Sequence, residues 1–78
     1  MSNIIVYTTK TCAFCKEVVR FLGHKNKKYT EIDVTNDVDK RIELQKITNY
    51  TTIPVTKIGD EYIVGWQPLK LSAALNKA

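Results

Sequence analysis

The sequence is poor in cysteine. Only two of its 78 residues are cysteines, Cys12 and Cys15, and they stand three positions apart. A disulfide that staples a fold joins distant segments, because loop-closure stabilisation grows with loop length. Small secreted domains that depend on such staples usually carry four or more cysteines. The pair therefore does not hold the fold together, which leaves metal binding, redox chemistry or chance spacing.

Long apolar segments are also missing. The longest uninterrupted apolar run, Ile4–Tyr7, has four residues, whereas a membrane-spanning helix needs about 20. No basic segment followed by a long apolar stretch is present near the start of the chain, so we expect no secretory signal and no membrane association. A dithiol without an export signal fits a reducing compartment, and we expect a cytoplasmic protein.

The composition is that of one globular domain, which we expect to span residues 1–78. Hydrophobic residues make up 44% and charged residues 26% of the chain, and these values argue against disorder. The net charge is +4, but the only dense basic group is 25–28, and aromatic residues do not interleave with it. This pattern argues against nucleic-acid binding and favours acidic protein partners.

The first half of the chain has the pattern of a βαβ unit. A short apolar strand, Asn3–Tyr7, is followed by a helix that starts at Cys12 and ends at Gly23. The inner face of this helix has apolar residues at the spacing i, i+3, i+4 and i+7, namely Cys15, Val18, Val19 and Leu22. A second strand, Tyr29–Val34, completes the unit, which predicts a parallel strand pair and a right-handed crossover.

The second half predicts a helix, a hairpin and a last helix. Thr35 or Asn36 is expected to cap the helix that follows the second strand. Strands over 53–58 and 61–64 are joined by the turn dipeptide Gly59-Asp60, and Pro68 suits the first turn of the final helix. The predicted order is therefore β-α-β-α-β-β-α, in the α/β class.

The position of the cysteine pair predicts redox chemistry. Cys12 falls at the start of the first helix, where unpaired N–H groups and the helix dipole favour a thiolate. Lys10 and Lys16 add positive potential nearby. Thiols in such places titrate at about 3.5 to 7.5, against about 8.5 for a free cysteine. Cys15 lies one turn later and can attack a mixed disulfide formed at Cys12, as dithiol exchange requires.

A metal site within the chain lacks ligands. A structural zinc site needs four, and beyond the two cysteines the chain offers one histidine, His24. His24 lies about 13 Å further along the same helix than Cys15, so it cannot complete the site. Two sulfurs from a second chain would be needed. We therefore expect no metal, while chance spacing of two structural cysteines stays open.

The segment Tyr7–Cys15 resembles the active-site segment of glutaredoxins, which belong to the thioredoxin-like superfamily. Thr52-Ile53-Pro54 is similar to the family's Thr-Val-Pro segment, and Gly65 falls at the glycine that follows its β-hairpin. The resemblance covers nearly the whole chain. It implies a thioredoxin-like fold with a four-stranded mixed sheet flanked by three helices.

The resemblance also implies roles for individual residues. Cys12 would be the attacking thiol and Cys15 the resolving thiol, while Lys10 would stabilise the thiolate or approach a carboxylate of glutathione. Pro54 would be cis, with Thr52 and Ile53 along an edge that pairs with an extended peptide, and Phe14 is expected to be exposed beside the sulfurs. The implied substrate-binding set is Lys10, Thr11, Phe14, Thr52, Ile53, Pro54, Gly65, Trp66 and Gln67.

The segment after Gly65 departs from the glutathione-binding pattern. Many glutaredoxins place a polar, often acidic group there, whereas this chain has Trp66-Gln67-Pro68. That stretch is more similar to NrdH-type redoxins, which reduce ribonucleotide reductase and take electrons from thioredoxin reductase. Ala13 also departs from the proline of many glutaredoxins, so the resemblance implies no particular redox potential.

These patterns predict a monomeric dithiol–disulfide oxidoreductase without a bound cofactor. The chain has no glycine-rich dinucleotide loop, so its electrons would come from thioredoxin reductase or glutathione. The acceptors would be disulfide-containing proteins such as ribonucleotide reductase. Two alternatives stay open: a glutathione-dependent glutaredoxin, and a non-enzymatic thioredoxin-like module that binds metal across a dimer or extended peptides.

Overall fold

Seven elements follow one another in the predicted order. In the computed structural model, which describes residues 3–77, four strands alternate with three helices. The strands β1 to β4 are Ile4–Thr8, Thr30–Asp33, Val55–Ile58 and Glu61–Val64. The helices α1 to α3 are Ala13–His24, Val38–Thr48 and Pro68–Lys77. The predicted domain boundaries at residues 1 and 78 lie outside the described residues and stay predictions.

The four strands form one mixed sheet in the order β2-β1-β3-β4. β1 pairs in parallel with β2 and antiparallel with β3, and the β3–β4 hairpin is antiparallel. The parallel pair and the mixed sheet confirm the prediction. β1 therefore lies inside the sheet, and its carboxyl end leads directly into the loop that carries Cys12.

Both faces of the sheet are covered by apolar side chains. One cluster joins residues of α1 and α3 to one face of the sheet, namely Ile4, Val6, Val18, Leu22, Ile58, Ile63, Leu71, Ala74 and Leu75. A smaller cluster on the other face joins α2 to the sheet through Tyr7, Val34, Leu44 and Val55. The helix α1 is thus held against the sheet along the face that the spacing predicted, with Val19 only half-buried.

The end of α1 differs from the prediction. The helix runs past Gly23 to His24, and the left-handed residue that stops it is Asn26, with φ of 56°. The N–H groups of Asn26 and Lys27 donate to the carbonyls of Gly23 and Leu22 at 3.0 and 3.1 Å. This pattern is a Schellman motif, in which asparagine can take the place of glycine.

The start of α2 also corrects the sequence analysis. The predicted caps Thr35 and Asn36 are wrong, because Asp37 caps the helix and accepts from the Lys40 N–H at 3.0 Å. The hydroxyl of Thr35 instead accepts from the N–H of Lys10 at 2.9 Å. Thr35 therefore ties the loop after β2 to the loop before α1, close to the cysteine pair.

Two strands are shorter than predicted. β2 covers 30–33 instead of 29–34, and β3 begins at Val55, after Pro54 rather than before it. Pro54 has no N–H to donate to a strand ladder. Within residues 3–77, no helix is long and apolar enough to cross a membrane.

Candidate active site

Cys12 occupies the N-cap of α1. Its backbone is extended, and its sulfur accepts the N–H of Cys15 at 3.1 Å. A serine or aspartate oxygen usually accepts this N–H, which the helix would otherwise leave without a partner. The same N–H and the positive end of the helix dipole stabilise negative charge on the sulfur once the disulfide is reduced.

Cys15 lies one turn into α1 and is joined to Cys12 by a disulfide. The Cα atoms are 5.5 Å apart, which is within the ordinary range for bridged cysteines. Cys15 is only 5% exposed, whereas Cys12 is half-buried. The difference in exposure makes Cys12 the sulfur that an outside disulfide can reach.

The chain returns to the sulfurs just before β3. The Ile53–Pro54 peptide bond is cis, as the resemblance implied. The sulfur of Cys12 lies 3.7 Å from the carbonyl oxygen of Ile53. Pro54 is buried, Ile53 is half-buried and Thr52 is exposed, so this segment forms one wall of the site, with Thr52 as its outermost residue.

The loop after β4 is fixed by its own contacts. Gly65, with φ of +79°, donates its N–H to the carbonyl of Pro54 at 2.7 Å. Trp66 packs edge-on against Phe21, with ring centroids 5.8 Å apart. The side-chain amide of Gln67 donates to the carbonyl of Val64. The ring of Trp66 and one amide N–H of Gln67 thus make contacts within the protein.

A cavity of about 310 Å³ opens beside the two cysteines. Lys10, from the loop before α1, contributes to its lining. A separate groove of about 530 Å³ contains Thr52 and Gln67, together with Tyr50 and Tyr62. Predicted binding residues therefore belong to two different depressions.

Two predicted residues flank the sulfurs on the surface. Thr11 is exposed in the turn before α1. Phe14 is 58% exposed in the first turn of the helix, which confirms the expectation that it faces solvent. An exposed aromatic ring between two redox sulfurs is available for contact with a partner.

Some residues that line the sulfur cavity were absent from the predicted binding set. Lys16 and Arg20 of α1 lie there together with Glu31 of β2 and Thr8 of β1. Helical spacing of four residues could have linked Arg20 to Lys16. The position of Glu31 depends on the strand register, Val6 against Glu31, which periodicity alone does not give.

Within the described part of the chain, no three histidine, cysteine, aspartate or glutamate side chains lie close enough together to hold a metal ion.

The fold and the helix-capping cysteine pair define a thioredoxin-fold dithiol protein. A family model described as glutaredoxin matches residues 4–63. Glutaredoxin 3 from Escherichia coli is 30% identical over 69 residues, which are 88% of this chain and 83% of that protein. This chain belongs to the glutaredoxin family.

Two solved structures have the same fold. The T8A mutant of the thioredoxin-like protein BC3987 has 36% identity and a TM-score of 0.84, with 97% of each chain covered. The NrdH-redoxin of Escherichia coli, described as a glutaredoxin-like protein with a thioredoxin-like activity profile, has a TM-score of 0.77. At 22% identity, with 91% of this chain and 92% of that chain covered, it supports the fold alone.

The family and the cysteine pair together define the activity. The protein is a glutaredoxin-like dithiol redox carrier, and its class is thiol–disulfide oxidoreductase. A non-enzymatic module, the second alternative from the sequence, is therefore set aside.

Proposed function

We propose that the protein carries electrons from a flavoprotein reductase of the thioredoxin reductase type to disulfides in cytoplasmic proteins, ribonucleotide reductase among them. The observation that carries this proposal is the loop after Gly65. Gln67 donates one N–H of its amide to the carbonyl of Val64, and Trp66 packs on Phe21. No acidic side chain stands in this segment to hold the amino end of glutathione.

In the first step, the Cys12 thiolate attacks one sulfur of the substrate disulfide. A bond forms between Cys12 Sγ and that sulfur, the substrate S–S bond breaks, and the departing thiolate takes a proton from solvent. The N–H of Cys15 stabilises the attacking thiolate, because it already donates to Cys12 Sγ at 3.1 Å. Lys10, which lines the same cavity, adds positive potential.

In the second step, Cys15 resolves the mixed disulfide. Its thiol loses a proton and attacks Cys12 Sγ, the bond from Cys12 to the substrate breaks, and the substrate sulfur leaves as a thiol after protonation. Two electrons have then passed from the carrier to the substrate. The helix holds the two Cα atoms 5.5 Å apart, so this attack needs no large movement of the chain.

The walls of the site fit an extended protein segment. The carbonyl of Ile53 lies next to Cys12 Sγ, and backbone groups at such an edge pair with an added strand. The remaining predicted residues Thr11, Phe14 and Thr52 are exposed. The first two adjoin the cysteines in sequence, and Thr52 precedes Ile53. We propose that they contact the substrate chain, while Gly65 holds the neighbouring loop in place.

The electron donor is tested by coupled assays with purified carrier. We expect turnover of a protein disulfide with NADPH and thioredoxin reductase, and much slower turnover with glutathione, NADPH and glutathione reductase. The reverse preference would show a glutathione-dependent glutaredoxin and would contradict the proposed donor.

Matched serine variants distinguish the roles of the two sulfurs. Cys12→Ser should abolish reduction with either donor, because the entering thiol is gone. Cys15→Ser should form a mixed disulfide with substrate that accumulates and is visible by mass spectrometry. Full activity of Cys12→Ser, or a mixed disulfide that forms on Cys15 instead, would contradict the assigned roles.

A further inference from the structure

The cavity beside the sulfurs is surrounded by positive charge. Lys10, Lys16 and Arg20 all line it, together with both cysteines. Lys16 and Arg20 are four residues apart on α1, so they lie side by side on one face of the helix. This cationic cavity, defined by Lys10, Lys16 and Arg20, is distinct from the groove that contains Thr52.

The cations are available to an outside ligand. Arg20 comes no closer than 4.0 Å to Glu17, and its side chain is 69% exposed. The single carboxylate in the cavity lining is that of Glu31, and its Oε2 accepts from the hydroxyl of Thr8 at 3.2 Å. Among the described residues, the lining therefore carries three cations and one carboxylate, and that carboxylate already accepts a hydrogen bond inside the protein. Two further carboxylates act on these cations from outside the lining: Glu17 on Arg20 and Asp33 on Lys10. Lys16 forms no ion pair within the described residues.

We propose that the cationic cavity binds an acidic side chain of the protein substrate, two to four residues from the cysteine that Cys12 attacks. The proposal rests on the proposed function, in which Cys12 is the entering thiol. It adds an electrostatic contact on the α1–β2 side of the sulfurs. The edge at Ile53, in contrast, offers backbone hydrogen-bonding groups.

Helix and strand dimensions set the position of the acidic residue. At about 1.5 Å per residue along α1, Lys16 lies about 6 Å and Arg20 about 12 Å beyond Cys12. An extended substrate segment covers about 3.3 Å per residue. An acidic residue two positions from the substrate cysteine therefore reaches Lys16, and one four positions away reaches Arg20.

The size of the effect follows from the exposure of the charges. An exposed ion pair changes affinity by about 1.4- to 5-fold, and one acidic residue makes one such pair. The effect decreases with added salt, because exposed charges are screened at distances near the Debye length. It should therefore be measured at low and at physiological ionic strength.

The test uses peptides that carry one reducible disulfide and one variable residue. Glutamate is placed two, four or eight positions from the cysteine, with a glutamine peptide matched to each, and the rate of reduction by the reduced carrier is measured. We expect glutamate at positions two and four to raise the second-order rate constant about 2- to 5-fold over glutamine, as one exposed ion pair allows. At position eight the two peptides should react at the same rate.

Three variants test whether the preference for glutamate over glutamine peptides arises from the cationic cavity. The double variant Lys16→Gln/Arg20→Gln should lower the glutamate preference at positions two and four to that of the position-eight peptides. The preference is a ratio of two rates on the same Cys12, so a change in the thiolate itself does not alter it. Glu31→Gln should increase the preference, because it removes the one carboxylate. Lys27→Gln/Lys28→Gln, which removes the same charge beyond the far end of α1, should leave the preference unchanged.

Equal rates for glutamate and glutamine peptides would overturn the proposal. A preference that is independent of position, or that the Lys27→Gln/Lys28→Gln control also removes, would overturn it too, since that result indicates attraction by net charge. Failure of the wild-type carrier to reduce even the glutamine peptides is a separate result, and it would contradict the proposed function itself.

Discussion

Thr56 is a polar residue in the middle of the apolar core. It is fully buried on β3, across from Val6 and Ile63, and within the described part of the chain its hydroxyl has no hydrogen-bond partner. A buried hydroxyl without a partner costs about 1–3 kcal/mol of desolvation. Replacement by valine keeps the shape and removes the polar atom.

Thr56→Val should therefore raise the free energy of unfolding by about 1 kcal/mol, as measured by urea denaturation. Thr48→Val is the matched control. The Thr48 hydroxyl donates to the carbonyl of Leu44 at 2.8 Å, so its loss should lower the free energy of unfolding by a similar amount. Equal destabilisation by both variants would contradict the claim that the buried Thr56 hydroxyl lacks a hydrogen-bond partner.

Alanine substitutions at Gly65 and Gly23 distinguish the cost of backbone strain from the cost of steric crowding. A Cβ added at Gly65 or at Gly23 meets no atom within 4 Å, but only Gly65 has a positive φ, +79°. Gly65→Ala should cost about 1–2 kcal/mol for the left-handed backbone. Gly23→Ala should stabilise α1 by about 0.5–1 kcal/mol, because alanine is the better helix former. Thermal or urea unfolding of both variants measures the contrast, and stabilisation by Gly65→Ala would contradict it.

At the scale of the secondary-structure elements, the connection between β2 and α2 should make the stability of the fold depend on pH. The hydroxyl of Thr35, and then its N–H, lower the pKa of Asp33 below the ordinary 3.8, with a smaller contribution from Lys10. A lowered pKa in the folded state contributes stability above pH 3.8, and this contribution is lost as the pH falls through the lowered pKa.

Asp33→Asn should therefore destabilise the protein at neutral pH, and its difference from wild type should shrink as the pH falls below about 3.8. Because Asp33 is exposed, the effect is small. Urea unfolding at pH 7 and pH 3 measures it. A difference that grows in acid would contradict the assignment.

The elements were predicted unequally well. The spacing of Cys15, Val18 and Leu22 placed α1 correctly, because one face of this helix is strongly apolar. α2 has no such face: Leu44 is buried, while Val38 and Ile42 are exposed. Its cap could not be chosen from Thr35, Asn36 and Asp37, since all three types can cap a helix. In the structure the Thr35 hydroxyl accepts instead from the N–H of Lys10, which lies 25 residues away in the sequence.

Taken as a whole, the molecule does not depend on its disulfide for folding. The bridge closes a loop of only four residues, which corresponds to about 2 kcal/mol at most in the chain-entropy model. Neither cysteine belongs to the two apolar clusters on either face of the sheet. A carrier needs this independence, because each cycle opens the bridge.

Reduction of the wild-type protein should therefore lower the free energy of unfolding by no more than about 2 kcal/mol and leave unfolding cooperative. Urea titrations with and without reductant, followed by circular dichroism, measure both quantities. The double variant Cys12→Ser/Cys15→Ser should behave like the reduced protein. Loss of the cooperative transition in either sample would contradict this expectation.

The site was predictable where it follows from sequence neighbours and less so where it depends on the whole fold. The cysteine pair and the helix start are local, and both were predicted. The hydrogen bond from Gln67 to Val64 depends on a side-chain rotamer. The cavity lined by Arg20 and Glu31 depends on the strand register. Periodicity contains neither kind of information.

The contact between Cys12 and Ile53 joins residues 41 positions apart. During synthesis on the ribosome, the dithiol segment is made well before the chain that supplies its second wall. Until β3 has been added, the two sulfurs belong to an open segment without the Ile53–Pro54 edge. If this edge binds the substrate chain as proposed, the nascent chain gains its selectivity for partners only when the hairpin joins the sheet.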